Sequence, residues 1–321
     1  MAAIRPTSGN VNLEHVRHAV LNSKPKSMTI RIRPMSEGDV ERCGGICYAA
    51  FKGVAEGHGF RPDFPSPERA IQLMHALLAN PDVFNVIAEQ DGQVIGSNHL
   101  VEYDAIRAVG PITVDPNAQA KGAGRMLMEA VIERGKGTQG GKPGAGIRLV
   151  QDSFNTASIS LYASVGFDVQ EPLALMEGHL DGDMPPDVTV RALKEEDYAS
   201  CAELCRLVHR FDRLNELKQT PPFLTSYVAV RDGRITAYAA APHYWALNHA
   251  VAETMSDMCA LLTGAANLLP GEPLSFLLPT RQSDLFRWCL QKGLKVMKPL
   301  TLMSMGEYHQ PRSCCLPSVG Y

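Results

Sequence analysis

Gln-Ala-Lys-Gly-Ala-Gly, residues 119–124, lies between a turn at Asp115-Pro116 and a helical run from Arg125 to Ala130. A helix that starts on residues this small presents several unpaired backbone N–H groups. The positive end of its dipole reinforces their attraction for an anion. The plain alternative is a flexible loop that carries glycine. Three phosphate-binding patterns compete. A P-loop ends in Gly-Lys-Ser/Thr, whereas Gly124 is followed by Arg125-Met126. A dinucleotide fold needs a third glycine near Leu127 and an acidic residue beyond the next strand, and neither is there. The third pattern is Gln/Arg-x-x-Gly-x-Gly/Ala between a strand and a helix. Gln119, Ala120, Lys121, Gly122, Ala123 and Gly124 fill it. Arg125 comes next and either meets a phosphate or faces solvent.

The elements on either side sharpen this. The strand before the loop contains Val109-Gly110-Pro111-Ile112-Thr113-Val114, and a proline inside a strand marks an edge, a bulge or a splay. After the loop comes a helix that begins at Asn155, has Tyr162 in its last turns and is followed by Gly166-Phe167. With both motifs in this order, the chain resembles the GNAT superfamily of acyl-CoA N-acyltransferases over about residues 28–178. The resemblance implies that the amides of Gln119 to Arg125 hold the pyrophosphate of acetyl-CoA. It also implies that the fourth and fifth strands part beside Ile112, Thr113 and Val114 to admit the pantetheine arm. Asn155 and Tyr162 would line the same co-substrate.

Acyl transfer from a thioester needs a grip on the anionic carrier, an oxyanion donor, an acid and a base. A free N–H near Thr113 or Val114 suits the oxyanion. A phenol with reference pKa about 10 protonates a thiolate of parent pKa about 8.5 only when well positioned. The resemblance gives that role to Tyr162, whose plain reading is a helix aromatic packed in the core. The family often carries a glutamate early in the fourth strand, but Ile106–Val114 has no acid. Glu102 ranks first as the base, with Asp104 and His99 behind it; capture of a neutral amine without a single base is the other route. The loop carrying His58, Phe60, Arg61 and Phe64 lies where this family walls its acceptor. We expect an acetyl-CoA-dependent N-acetyltransferase acting on a primary amine of a small molecule, with no metal. The alternative is a non-catalytic acyl-CoA sensor, which would not need Tyr162.

The chain has 321 residues, 45% hydrophobic and 20% charged, which suits two domains with sizeable cores. A net charge of −3 without a long basic run argues against nucleic acid. No apolar leader and no stretch of about 20 apolar residues is present, so we expect a cytoplasmic protein with no membrane contact. The oligomer is left open, a dimer included. Cys43/Cys47 and Cys201/Cys205 lie four apart, with no histidine at zinc-like spacing, and read as buried small apolar side chains.

From Asp187 onward the chain repeats itself. Arg33, Glu37, Asp39, Cys43 and Cys47 fall against Arg191, Glu195, Asp197, Cys201 and Cys205. Gln90–Ser97 resembles Arg231–Tyr238, and 166–178 resembles 293–306. Three similarities in one order argue for duplication. We expect an α/β protein of two tandem GNAT-like domains, each a mixed, mostly antiparallel sheet flanked by helices. The divisions are an extension (1–27), a catalytic domain (28–178), a linker (179–187), a degenerate domain (188–309) and a tail (310–321). In the second domain His243, Tyr244 and Trp245 stand where the glycine loop is expected, and Cys289 stands opposite Tyr162.

Overall fold

The computed structural model describes residues 29–118, 122–138 and 140–320. The expected extension at 1–27 and the loop residues Gln119, Ala120 and Lys121 lie outside the described residues.

Strands β1 (Ile30–Pro34), β2 (Val83–Gln90), β3 (Gln93–Val101) and β4 (Ile106–Val109) form an antiparallel ladder. Asp91 and Gly92 turn the β2–β3 hairpin with φ of 51° and 81°, the conformation an Asp-Gly pair favours there. Helices α1 (Val40–Gly57) and α2 (Pro67–Ala79) pack on this sheet, and Pro67 occupies the first turn of α2. Helix α1 runs on through Gly53 to Gly57, up to the aromatic loop. An isolated glycine costs a helix only about 1 kcal/mol, and Phe51 and Ala55 find core contacts.

The expected single strand at 106–116 is broken. Its second piece, β5 (Thr113–Val114), stays on β3, while β6 (Gly146–Asp152) runs parallel to β4. Helices α3 (Ala123–Gly135) and α4 (Thr156–Ser164) follow β5 and β6 and share one core cluster, built on Leu127, Val131 and Leu149.

After β7 (Asp168–Gly178) the second half repeats the plan. It contains β8 (Val188–Ala192), α5 (Tyr198–His209), α6 (Leu214–Lys218), β9 (Tyr227–Arg231), β10 (Arg234–Ala239), β11 (Ala250–Ala252), α7 (Met255–Leu268), β12 (Leu274–Pro279), α8 (Ser283–Gln291) and β13 (Lys295–Gly306). The repeat is physical as well as textual. Arg33 clasps Asp39 at 2.7 Å and Arg191 clasps Asp197 at 2.6 Å. Each aspartate also accepts a backbone N–H, from Ser36 and from Lys194.

The two halves exchange their last strands. β13 from the second half inserts between β6 and β7, and β7 pairs with β12. The result is a nine-stranded sheet of order β1-β2-β3-β4-β6-β13-β7-β12 with β5 on β3. The expected boundary at 179–187 therefore divides the chain but not the sheet. A second sheet has the order β14-β11-β10-β9-β8, where β14 (Cys315–Leu316) comes from the expected tail. The Gln282 side chain holds both backbone groups of Cys315, donating to its C=O at 2.6 Å and accepting its N–H at 3.2 Å. The architecture is the mixed, mostly antiparallel α/β fold that the sequence led us to expect.

Candidate active site

The pairing of β4 with β6 ends at Ala108 and Arg148. Past that point β5 remains on β3 and β6 turns its other edge to β13, so the two strands diverge. The Asp115 N–H bonds to the Ile95 carbonyl on β3. Antiparallel alternation puts Thr113 on that same side and turns the backbone of Val114 and Ile112 the other way, into the gap. The free strand edge is therefore at Ile112 and Val114, and the Thr113 backbone serves the sheet.

Helix α3 begins beside this gap. Gly122 is its N-cap, with φ 98° and no side-chain cap, and the first turn carries no acid. The first intrahelical bond is from Met126 N–H to the Gly122 carbonyl, so the N–H groups of Ala123, Gly124 and Arg125 precede the helical ladder. The two glycines do different work. A Cβ at Gly122 would meet nothing within 4 Å, so this position needs glycine for its left-handed backbone. A Cβ at Gly124 would lie 3.2 Å from Leu161 Cδ2, so this glycine also lets α3 approach α4. Arg125 reaches across to the Ser164 hydroxyl at 2.7 Å. These bare amides and the adjacent strand edge suit a diphosphate followed by an amide-bearing arm.

Asn155 caps α4, its side chain accepting the Ser158 N–H at 3.2 Å. Tyr162, two turns on, is buried in the same cluster as Ile112 and Val114. Burial pushes its phenol up to about 12, against the pull of the Ser158 hydroxyl. The loop after α1 packs against Phe154, just before α4. Phe60 stacks on Phe154 at 4.3 Å, His58 lies 5.1 Å from the same ring, and Phe64 packs edge-on to Phe51. Arg61 reaches Glu177.

The structure holds each of the expected bases in other contacts. Glu102 accepts from Arg134 Nε and Nη2 at 3.0 and 2.8 Å. Thr113 pairs with Ser97, and Glu102 stands five residues further along, roughly 17 Å at the usual strand rise. It ties α3 to the end of β3 and cannot reach the gap. Asp104 accepts the N–H groups of Asn215 and Glu216. His99 is enclosed, with Nδ1 2.6 Å from Asn85 Oδ1 and its pKa pushed down to about 3 by burial. The sequence reading passed over Asp152, the last residue of β6, which flanks the gap. Its Oδ1 is 2.7 Å from Lys298 Nζ, and Lys298 also meets Asp63 at 2.7 Å. A carboxylate at the end of a strand that borders a splay was the available signal. Lys298 had none, because it arrives on the exchanged strand.

The second half lacks this site for a reason other than the expected one. His243, Tyr244 and Trp245 lie in the β10–β11 connection, not before the helix. The counterpart of the glycine loop is Glu253-Thr254. Thr254 caps α7 by accepting the Asp257 N–H at 3.2 Å, and the Asp257 carboxylate is bound by Thr254, Thr236 and Arg231. That helix end already carries its own anion. Trp245 instead covers Lys298, with the ring 5.3 Å from Nζ. Cys43, Cys47, Cys201 and Cys205 are buried as expected. The fold does bring Cys205, His209 and His249 within 4.8 Å of one another. Burial first, and then the nearby Arg213 charge, lowers the pKa of both histidines, and that charge also opposes a metal cation there.

Residues 54–167 match the model of the Acetyltransferase (GNAT) family. Among curated proteins, none matches the chain. Solved structures align with it over both halves. A protein of Pyrococcus horikoshii described as an acetyltransferase aligns with TM-score 0.65 at 16% identity, over 87% of this chain and 89% of its own. A GCN5-related N-acetyltransferase of Sphaerobacter thermophilus aligns with TM-score 0.57 at 15% identity, over 88% and 96%. A tandem GNAT protein from the clavulanic acid biosynthesis pathway aligns with TM-score 0.53 at 12% identity, over 86% and 98%. At these identities the likeness is one of fold. Among the described residues, no helix is long and apolar enough to cross a membrane.

Proposed function

We propose that this chain, a tandem member of the GNAT superfamily, transfers an acetyl group from acetyl-CoA to a primary amine of a small molecule. The observation that carries the reading is the gap beside Ile112 and Val114, set against an uncapped helix N-terminus at Gly122. When bound, acetyl-CoA supplies a thioester carbonyl open to attack by the amine. The chain supplies the rest. The N–H groups of Ala123, Gly124 and Arg125 hold the anionic end. Ile112 and Val114 orient the arm through their backbone, and the Val114 N–H is the donor for the oxygen on which charge grows. Tyr162, with its pKa near 12, keeps the proton on its hydroxyl at neutral pH, available to the departing sulfur. Phe60 and Phe154 shield this end from water.

The test is free-thiol release across a panel of primary amines, with CoA binding measured in parallel by calorimetry. Turnover with at least one amine and binding of one CoA per chain are expected. Binding without turnover on any amine would sink the enzyme reading in favour of an acyl-CoA-binding regulatory module.

A further inference from the structure

The strand exchange has a chemical result as well as a topological one. Lys298 belongs to the second half, yet β13 carries it into the sheet of the first, beside the last residue of β6. Its side chain is 4% exposed and lies between two carboxylates, Asp152 at 2.7 Å and Asp63 at 2.7 Å. Asp63 comes from the aromatic loop and Asp152 from the strand that borders the gap. The parallel register pairs Ala108 with Arg148. Continued across the divergence it sets Asp152 level with Ile112, at the free strand edge. The walls are Trp245 over the lysine and Phe60, Phe154 and His58 beside the aspartates.

The charges do not balance. One ammonium serves two carboxylates, so the buried group carries one spare negative charge when all three are ionised. A second ammonium, the acceptor's own, completes the set, and the aromatic walls suit an apolar or aromatic body behind it.

Resting on the acyl-transfer reading above, we propose that the second half completes the acceptor site of the first. Lys298 and Asp63 hold Asp152 as the carboxylate that binds a monocationic primary amine and takes its proton. As the bond from nitrogen to the acyl carbon forms, the carbon–sulfur bond breaks. Asp152 takes one proton from the bound ammonium to free the amine; Tyr162 gives its proton to the departing sulfur, the nitrogen's second proton returns to the Tyr162 oxygen, and the proton on Asp152 leaves to solvent. The groups facing Asp152 are Lys298, Asp63, His58 and, from α4, Tyr162. Burial raises the Asp152 carboxyl from its ordinary value against the pull of Lys298, the direction that favours a proton acceptor. Lys298 acts as a positioning residue.

The test titrates aspartate carboxyls by NMR in the full chain, labelled at the aspartate carboxyl carbon and without substrate. One carboxyl titrating above the ordinary range should vanish in Asp152→Asn. It should rise by about 1–3 pH units in Lys298→Met, where a close opposite charge is lost. Lys298→Arg should hold it near its native value. Asp63→Asn, a loop change that leaves the sheet intact, should move it down. With an acetylated amine, the acid limb of kcat/KM should follow the same shifts. Asp152→Asn should lose about 10²-fold or more in kcat/KM at unchanged CoA affinity. An Asp152 carboxyl that titrates at the ordinary value, or that neither Lys298→Met nor Asp63→Asn moves, overturns the proposal. The carboxyl titration decides this even if no amine is acetylated, an outcome that would count against the acyl-transfer reading alone.

Discussion

Replacing Gly122 by alanine separates the backbone requirement of the phosphate turn from simple crowding. Gly122 has φ 98° and ψ −9°. An L-residue held in the left-handed region loses about 1–2 kcal/mol. A Cβ there meets nothing within 4 Å, so no collision adds to the strain. Alanine also restricts the unfolded chain, which returns about 0.4–1 kcal/mol. The net loss is then at most about 1.6 kcal/mol, or roughly 6 °C in Tm at about 2–4 °C per kcal/mol. Binding should suffer more. The methyl projects into the open side of the turn, and relief of the strain would re-aim the Ala123–Arg125 amides. We expect CoA affinity to fall tenfold or more, about 1.4 kcal/mol. Gly124 is a poorer test, because a side chain there also presses on Leu161. Gly45→Ala in α1 is the matched control: it has open space and ordinary helical backbone. It should gain stability, up to about 1 kcal/mol, and leave CoA binding alone. Thermal unfolding and calorimetry read both effects. A Gly122→Ala protein that melts like the parent and binds CoA equally well would refute the assignment of this turn.

Tyr162→Phe keeps the ring in its cluster and removes the proton donor. Turnover should fall by roughly 10²-fold or more at nearly constant CoA affinity. Because the phenol is pushed up to about 12, the loss should be uniform between about pH 6 and 9; steady-state rates across that range check it. Glu102→Gln weakens a tie to Arg134 far from the gap, so it should lower Tm slightly and leave kcat/KM within about threefold. A much larger rate loss would restore Glu102 as the base. Calorimetry should count one CoA per chain, since Thr254 and Asp257 cap the second half's helix; two equivalents would contradict that account. Residues 28–178 expressed alone would leave β6 and β7 without β13 between them, two long unpaired edges. They should aggregate, and a soluble monomer by light scattering would show the exchanged strand to be dispensable.

Local rules carried the sequence reading where local chemistry decides structure. Asp91-Gly92 and the run into α3 each name their own conformation within a few residues, and each appears where the residues indicate. The duplication was legible for the same reason: Arg33 with Asp39 and Arg191 with Asp197 are short-range clasps that text comparison can find. The base was not legible. Glu102 was chosen for its nearness in sequence to the fourth strand. Position along a strand, however, is read against the partner strand, and the β3 register puts it at the wrong end. Trp245 is expected at the lost phosphate loop, because nothing in the sequence there marks where the second-half helix begins, but it lies in the β10–β11 connection. Helix α7 starts only at Met255, so the turn it replaces is two residues long and ends in a threonine cap. The strand exchange was the least accessible feature. The sequences of β7 and β13 resemble each other, so either could complete either sheet, and alternation of apolar residues cannot say which does. Only the tertiary pairing does. That choice also gives a physical reason for keeping a half that has no phosphate turn of its own. Without β13 the first sheet loses a central strand, and Asp152 loses the cation beside it. The second half can lose a binding site without loss to the protein; it cannot lose the strand.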